Sequence, residues 1–207
     1  RLKTALSARA LPLLGVTTDG SALYPEPLLE VFGDVPHQIC AFHIVAEVAK
    51  AVLGAVASAR KALAAKQPKL CKGRPSTPAA KQAARTKKRL AAQSAALFAS
   101  RHLFVQCHLN KTERKTLWRV SRGLPQLQAL RAIMEQVYAV FDRRCRTQTA
   151  LAKLAKLRRR VQRFTSLGDT LKKLFAPTLD KALTFLDDKL LPSTSNAVER
   201  GNRRYRT

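Results

Sequence analysis

Leu13-Leu14-Gly15-Val16-Thr17-Thr18-Asp19-Gly20-Ser21 is the stretch whose reading decides the fold. Its apolar run reads as a buried strand, and the Asp-Gly pair reads as the turn that stops it. Ahead of it, Arg1 to Ala10 is expected to form a short helix. Behind it, Pro25 and Pro27 mark a turn, with Pro27 suited to the first position of a helix through Val31 and Phe32. Gly33-Asp34 ends that helix, and His37-Gln38-Ile39-Cys40-Ala41-Phe42 reads as a second strand. Strand, helix, strand in that order suits an α/β layer.

From Ile44 onward the pattern becomes helical. Ile44, Val48, Val52 and Val56 recur every four residues, an apolar stripe at helical spacing. Gln67 to Pro78, carrying Gly73-Arg74-Pro75-Ser76, reads as a linker. A basic helix is expected over Ala79 to Phe98. Another begins at Pro125, with Leu127, Leu130, Met134, Val137 and Phe141 along one side. Leu151, Leu154, Leu157, Val161 and Phe164 define the next. No fixed-period repeat suggests a solenoid.

Charge narrows the partners. Thirty-nine Lys and Arg stand against thirteen Asp and Glu, a formal net charge of +26 over 207 residues. Self-repulsion on that scale favours a polyanion, nucleic acid first and an anionic membrane surface second. The charge is also blocked rather than mixed. Fourteen Lys or Arg and no acid lie between Glu47 and Glu113, and nine more with no acid lie between Asp142 and Asp169. A surface helix laced with its own ion pairs interleaves signs. Lys87-Lys88-Arg89 and Arg158-Arg159-Arg160 are the densest clusters and are expected to contact phosphates. A solvated basic face is the plainer alternative for either cluster alone.

No apolar run approaches the ~18 residues of a spanning helix. Ile44 to Ala59 is interrupted by Glu47 and Lys50 and stopped by Arg60-Lys61, so no membrane partner is expected. No signal peptide is visible. Cys40, Cys71, Cys107 and Cys145 are widely spaced, which suits reduced thiols in a cytoplasm better than a disulfide framework. The chain opens on Arg1 and stops at Thr207 within an apparent helix, so it reads as a fragment.

Three groups could carry chemistry. Asp19 at a strand tip offers a rigid oxygen ligand of the kind Mg²⁺ demands, although an Asp-Gly turn alone would also explain it. Near the other end, Ser193-Thr194-Ser195-Asn196-Ala197-Val198-Glu199-Arg200-Gly201-Asn202-Arg203-Arg204 reads as a polar cap opening a basic helix. There Asn196, Glu199, Arg200 and Arg203 would share one side. Asn196 and Glu199 also fit a simple capping box. Cys40-Ala41-Phe42-His43 is a Cys-x-x-His element, a common packing arrangement at a strand end. A structural zinc needs about four ligands, and the remaining pair, Cys107-His108, are adjacent residues that chelate one ion poorly. His37 and His102 lack a constellation, and a lone Trp118 is expected in a core.

Taken in order, Thr17 to Ser21 with Tyr24-Pro25, Cys40 to His43, and Thr194 to Arg203 resemble the transposase catalytic domain of Mutator-like and related bacterial insertion-sequence elements. The resemblance implies a ribonuclease-H-like core and an Asp-Asp-Glu triad. Asp19 would be the second Asp and Glu199 the final Glu, both binding Mg²⁺ (or Mn²⁺). Cys40, His43 and Asn196 would support the site, while Arg200, Arg203 and Arg204 would grip phosphates. No acid precedes Asp19, so the triad's first Asp has no counterpart in these residues. The expected architecture is thus a partial ribonuclease-H-like α/β core at 1–43, a basic, mainly α-helical insertion at 44–190, and a returning catalytic helix at 191–207. The implied partners are transposon-end and target DNA and a second copy of the chain in the DNA complex, in a bacterial cytoplasm at the nucleoid. Two other readings stay open, a non-enzymatic basic helical DNA- or RNA-binding protein and an inactive transposase remnant.

Overall fold

The computed structural model describes residues 2–21, 23–71, 73, 75–162, 177–188 and 190–195. Among these, helix dominates and the one sheet has two strands. In chain order the elements are α1 (Leu2–Ala8), β1 (Val16–Thr18), α2 (Pro25–Phe32), β2 (His37–Ile39), α3 (Ala41–Ala65) and α4 (Pro78–Ala99). A 3-10 turn at Arg101–Phe104 follows, then α5 (Lys111–Val120), α6 (Pro125–Val140), α7 (Thr147–Gln162) and a 3-10 segment at Pro177–Leu186. The chain divides into two compact units, residues 1–48 with 136–207, and residues 49–135. The helical range 44–190 is therefore shared between both units.

In the first unit, β1 and β2 run parallel, with Val16 opposite His37, Thr17 opposite Gln38 and Thr18 opposite Ile39. The second strand is shorter than its sequence suggests. The Cys40 N–H still reaches the Thr18 carbonyl at 2.7 Å, but the Ala41 N–H turns away to the Ser193 carbonyl at 2.9 Å. Helix α3 thus begins three residues earlier than expected and takes Phe42 and His43 into its first turn.

The 3-10 segment packs on β2 through Leu179, Ala182, Leu183 and Phe185, all buried. At its centre sits a polar residue, Gln38, with no solvent exposure. Its Nε2 donates to the Ala182 carbonyl at 2.8 Å and its Oε1 accepts from the Phe185 N–H at 2.8 Å. The Ile39 carbonyl also accepts from Nε2. A buried amide is tolerated only when its donors and acceptors are matched in this way. Helix α7 adds Ala150, Leu154, Leu157 and Val161 to this core. Leu151, expected on the same stripe, is 38% exposed, because Ala150 takes the inward position one turn before Leu154. Phe164 lies outside the described residues.

The second unit buries Val52, Val56 and Leu63 of α3 with Leu90 and Leu97 of α4 and Leu117 and Val120 of α5. From α6 it takes Leu127, Leu130, Ile133 and Met134. Local signals fix the helix starts. Thr77 accepts from the Ala80 N–H at 3.2 Å with Pro78 behind it, and Asn110 with Glu113 forms a full capping box. Arg131 is buried as well. Its guanidinium donates to the Leu103 and Gln106 carbonyls at 3.1 and 2.6 Å and pairs with Glu135 at 3.1 Å. It thereby closes the C-terminal end of the 3-10 turn, where carbonyls lack partners.

Helix α3 departs from a second expectation. At 25 residues, with mean hydropathy 1.5 over its most apolar window, it is long and apolar enough by length and composition to cross a membrane. Alanines and valines dilute Glu47 and Lys50 enough to pass that threshold. The same helix presents Val48, Val52, Val56 and Leu63 to protein interior.

Candidate functional site

Asp19 stands one residue beyond β1, on an exposed turn. Its Oδ1 accepts from the Ser21 N–H at 3.0 Å, and the Gly20 N–H donates to Thr18 Oγ1 at 3.3 Å. Gly20 makes the turn possible. Its φ is +84°, and an added Cβ would stand 2.8 Å from Ile39 Cγ2. The turn occupies one lone pair of one carboxylate oxygen, so the group keeps acceptor capacity facing solvent.

Residues 191–195, which lead into the C-terminal string, run back alongside β1. The Leu191 side chain lies against Gly15, where an added Cβ would force it to shift, and the Leu191 carbonyl accepts from Arg143 at 3.1 Å. Thr17 Oγ1 donates to the Pro192 carbonyl at 3.3 Å, and the Ala41 N–H takes the Ser193 carbonyl. Ser195 then meets Cys40, its N–H lying 3.4 Å and its Oγ 3.5 Å from Sγ. Residues 191–195 are therefore tied to β1, to the start of α3 and to Arg143 by contacts that span 48 to 175 positions. Asn196, Glu199, Arg200, Arg203 and Arg204 lie outside the described residues.

Cys40 and His43 are brought together. Burial pushes the Cys40 thiol up, but hydrogen bonds from the Ser195 side chain and backbone, and from His43, outweigh it and hold the thiol below its ordinary value. Phe42 packs edge-on to the His43 ring, with centroids 5.8 Å apart. The pair thus links the start of α3 to the returning chain.

His37, unassigned by sequence, bonds to the last residue of β1. Its Nε2 lies 2.8 Å from Thr18 Oγ1. Burial lowers its pKa, and nearby Lys181 lowers it further. A histidine held neutral in the fold lets the unfolded chain bind the extra proton first. Stability from His37 is therefore complete above about pH 6.5 and is lost as the pH falls from there through the folded-state value. Urea titrations between pH 7.5 and 5 should show this loss, and His37→Asn should flatten it.

The basic clusters divide. Lys87, Lys88 and Arg89 are exposed on α4. Arg158 lies 3.7 Å from Asp180, so one member of the second cluster is engaged within its own unit. Arg159 and Arg160 sit in the last turn of α7, where cations complement the helix dipole. Trp118 is 61% exposed rather than buried, because Leu117 and Val120 occupy the inward face of α5. The Arg122 guanidinium lies 5.9 Å from its ring centroid.

For a divalent cation, Asp19 fits one corner. Mg²⁺ is commonly held by one or two carboxylates with water and substrate phosphate completing the shell. Among the described residues, no group of three or more His, Cys, Asp or Glu is gathered to hold a metal ion. Asp19 with Glu199 would supply two carboxylates. Comparison of the chain with protein-family models, curated proteins and solved structures yields no match.

Proposed function

We propose that the chain is part of a DDE-type DNA transposase, with Asp19 and Glu199 as two acids of its phosphodiester-cleaving site. The observation that carries this reading is the return of residues 191–195 to the tip of β1. Ser195 touches Cys40, and Cys40 is hydrogen-bonded to Thr18, the residue before Asp19. Chain covalency alone then limits the Cα of residue 199 to about 14 Å from that of Ser195. Two acids separated by 180 positions in sequence could then share a site, and this bound supports the reading without placing Glu199. Bound Mg²⁺ would supply Lewis-acid stabilisation and a metal-activated nucleophile. Asp19 would serve as a ligand at the strand tip, and Cys40, His43 and Ser195 would position the chain that leads to Glu199. Arg200, Arg203 and Arg204 would hold neighbouring phosphates.

A non-catalytic basic binding protein is the competing reading, and one observation favours it. Asn110 and Glu113 show that an Asn-x-x-Glu string in this chain can be nothing more than a capping box. Chemistry separates the two. The whole protein incubated with supercoiled plasmid and Mg²⁺ should produce nicked circles, and EDTA should abolish them while gel-shift binding persists. Binding without any metal-dependent nicking overturns the transposase assignment.

A further inference from the structure

We propose that the second unit carries its own binding groove for the phosphate backbone of duplex DNA, formed by Lys66, Arg89, Arg119 and Arg122. The groove has a volume of about 820 Å³ and lies where the end of α3, the middle of α4 and the turn after α5 meet. Leu63, Leu90 and Val120, all buried, form its apolar floor. The four cations stand along it, and no carboxylate lines it among the described residues.

The absence of neutralising charge has a local cause. Residues 49–135 hold nineteen Lys and Arg but only two acids, Glu113 and Glu135. Glu113 is committed to its capping box and to Gln106, and Glu135 to Arg131. Neither turns towards the groove. Four cations converging on one concavity repel one another, and an occupant with repeated negative charge relieves that repulsion. The arrangement is also braced. The Gln93 side chain donates to the Arg122 carbonyl at 3.0 Å, tying α4 to the turn that carries Arg122. Arg85 lies one turn before Arg89 on α4 and Lys81 one turn earlier still, so the basic track continues out of the groove along one exposed helix face.

A repeating anion fits a track better than a single phosphate does. Duplex DNA presents one charge per about 1.7 Å of axis, and each phosphate neutralised releases condensed counterions. The preference for DNA over RNA rests on the transposase reading, whereas the groove itself does not. Phosphate contacts carry no sequence information, so binding through these four cations is expected to be indifferent to sequence.

The test is binding of a fluorescein-labelled 25-base-pair duplex to the full chain, measured by anisotropy across a salt series. The variant is Lys66→Gln, Arg89→Gln, Arg119→Gln and Arg122→Gln together, with circular dichroism checking its helix content. Affinity should fall by about 10²- to 10³-fold near physiological salt, and the log–log salt slope should shrink by about 3 to 4. The loss should be equal for unrelated duplex sequences. A folded variant that binds DNA with an unchanged slope overturns the proposal. If the fourfold variant loses helix content, Arg89→Gln with Arg122→Gln is the measured pair, with a slope change of about 2 expected and no change refuting it. Stronger binding of the native chain to single-stranded RNA or to phosphatidylserine vesicles than to the duplex also refutes it. Nicking is not the readout, so a failed groove and a failed nuclease assignment give different results.

Discussion

Asp19→Asn is expected to reduce metal-dependent nicking by the whole protein by about a thousandfold or more, with DNA affinity changed less than about threefold. Asparagine keeps the size and the turn. Its Oδ1 can still accept from the Ser21 N–H, so the local backbone has no reason to move. What disappears is the negative charge that a hard cation requires from an oxygen ligand. Metal-held charge is worth several kcal/mol in the transition state, and each 1.36 kcal/mol is about tenfold in rate. Affinity survives because the surface is overwhelmingly cationic, and removing one acid adds to that charge. Plasmid nicking rates beside anisotropy titrations separate the two quantities. Undiminished nicking by Asp19→Asn removes the carboxylate from the chemistry.

Gln38→Leu is expected to lower folding stability by about 3–5 kcal/mol, a large fraction of a typical domain's total. Leucine fills similar space but can neither donate to the Ala182 carbonyl nor accept from the Phe185 N–H. Each buried group left without its partner costs about 1–3 kcal/mol. Gln38→Glu probes the same clamp differently, since a carboxylate accepts from Phe185 but has no proton for Ala182. Urea denaturation of the two variants beside the native chain measures both effects. A midpoint shift under about 0.5 M for Gln38→Leu would mean that the clamp contributes little.

These residues also show which parts of the fold the sequence declares. The β1–α2–β2 order was readable from an apolar run, two prolines and an Asp-Gly turn, all of them local signals. The stripes of α3 and α6 were readable for the same reason, since spacing alone defines an apolar face, except that Phe141 falls beyond the end of α6 and is half-buried. Gln38 was not, because one polar residue in a short strand carries no sign of the backbone groups 144 and 147 positions away that it satisfies. Trp118 misled for a related reason. Its composition says interior, but its phase relative to Leu117 and Val120 turns it outward.

The candidate site was readable in its parts and not in its assembly. Asp19, Cys40 and His43 were marked by the resemblance of their strings to the transposase catalytic domain, since an Asp-Gly turn and a Cys-x-x-His at a strand end each have a plainer explanation when taken alone. The docking of residues 191–195 was not, because it consists of backbone carbonyls meeting Thr17, Ala41 and Arg143, contacts that leave no periodic trace. Likewise the pairing of Arg158 with Asp180 crosses 22 positions, so a run of like charges looked less neutralised than it is. His37 gained meaning only when the strand register set it opposite Val16, from where its ring reaches Thr18 Oγ1.

Gly20 bears no functional group, yet any replacement must both adopt a left-handed backbone and displace the methyl of Ile39. A saturation screen scored on activity would therefore rank position 20 alongside the acid it follows. Ranking by intolerance alone would count a hinge pin as a reagent.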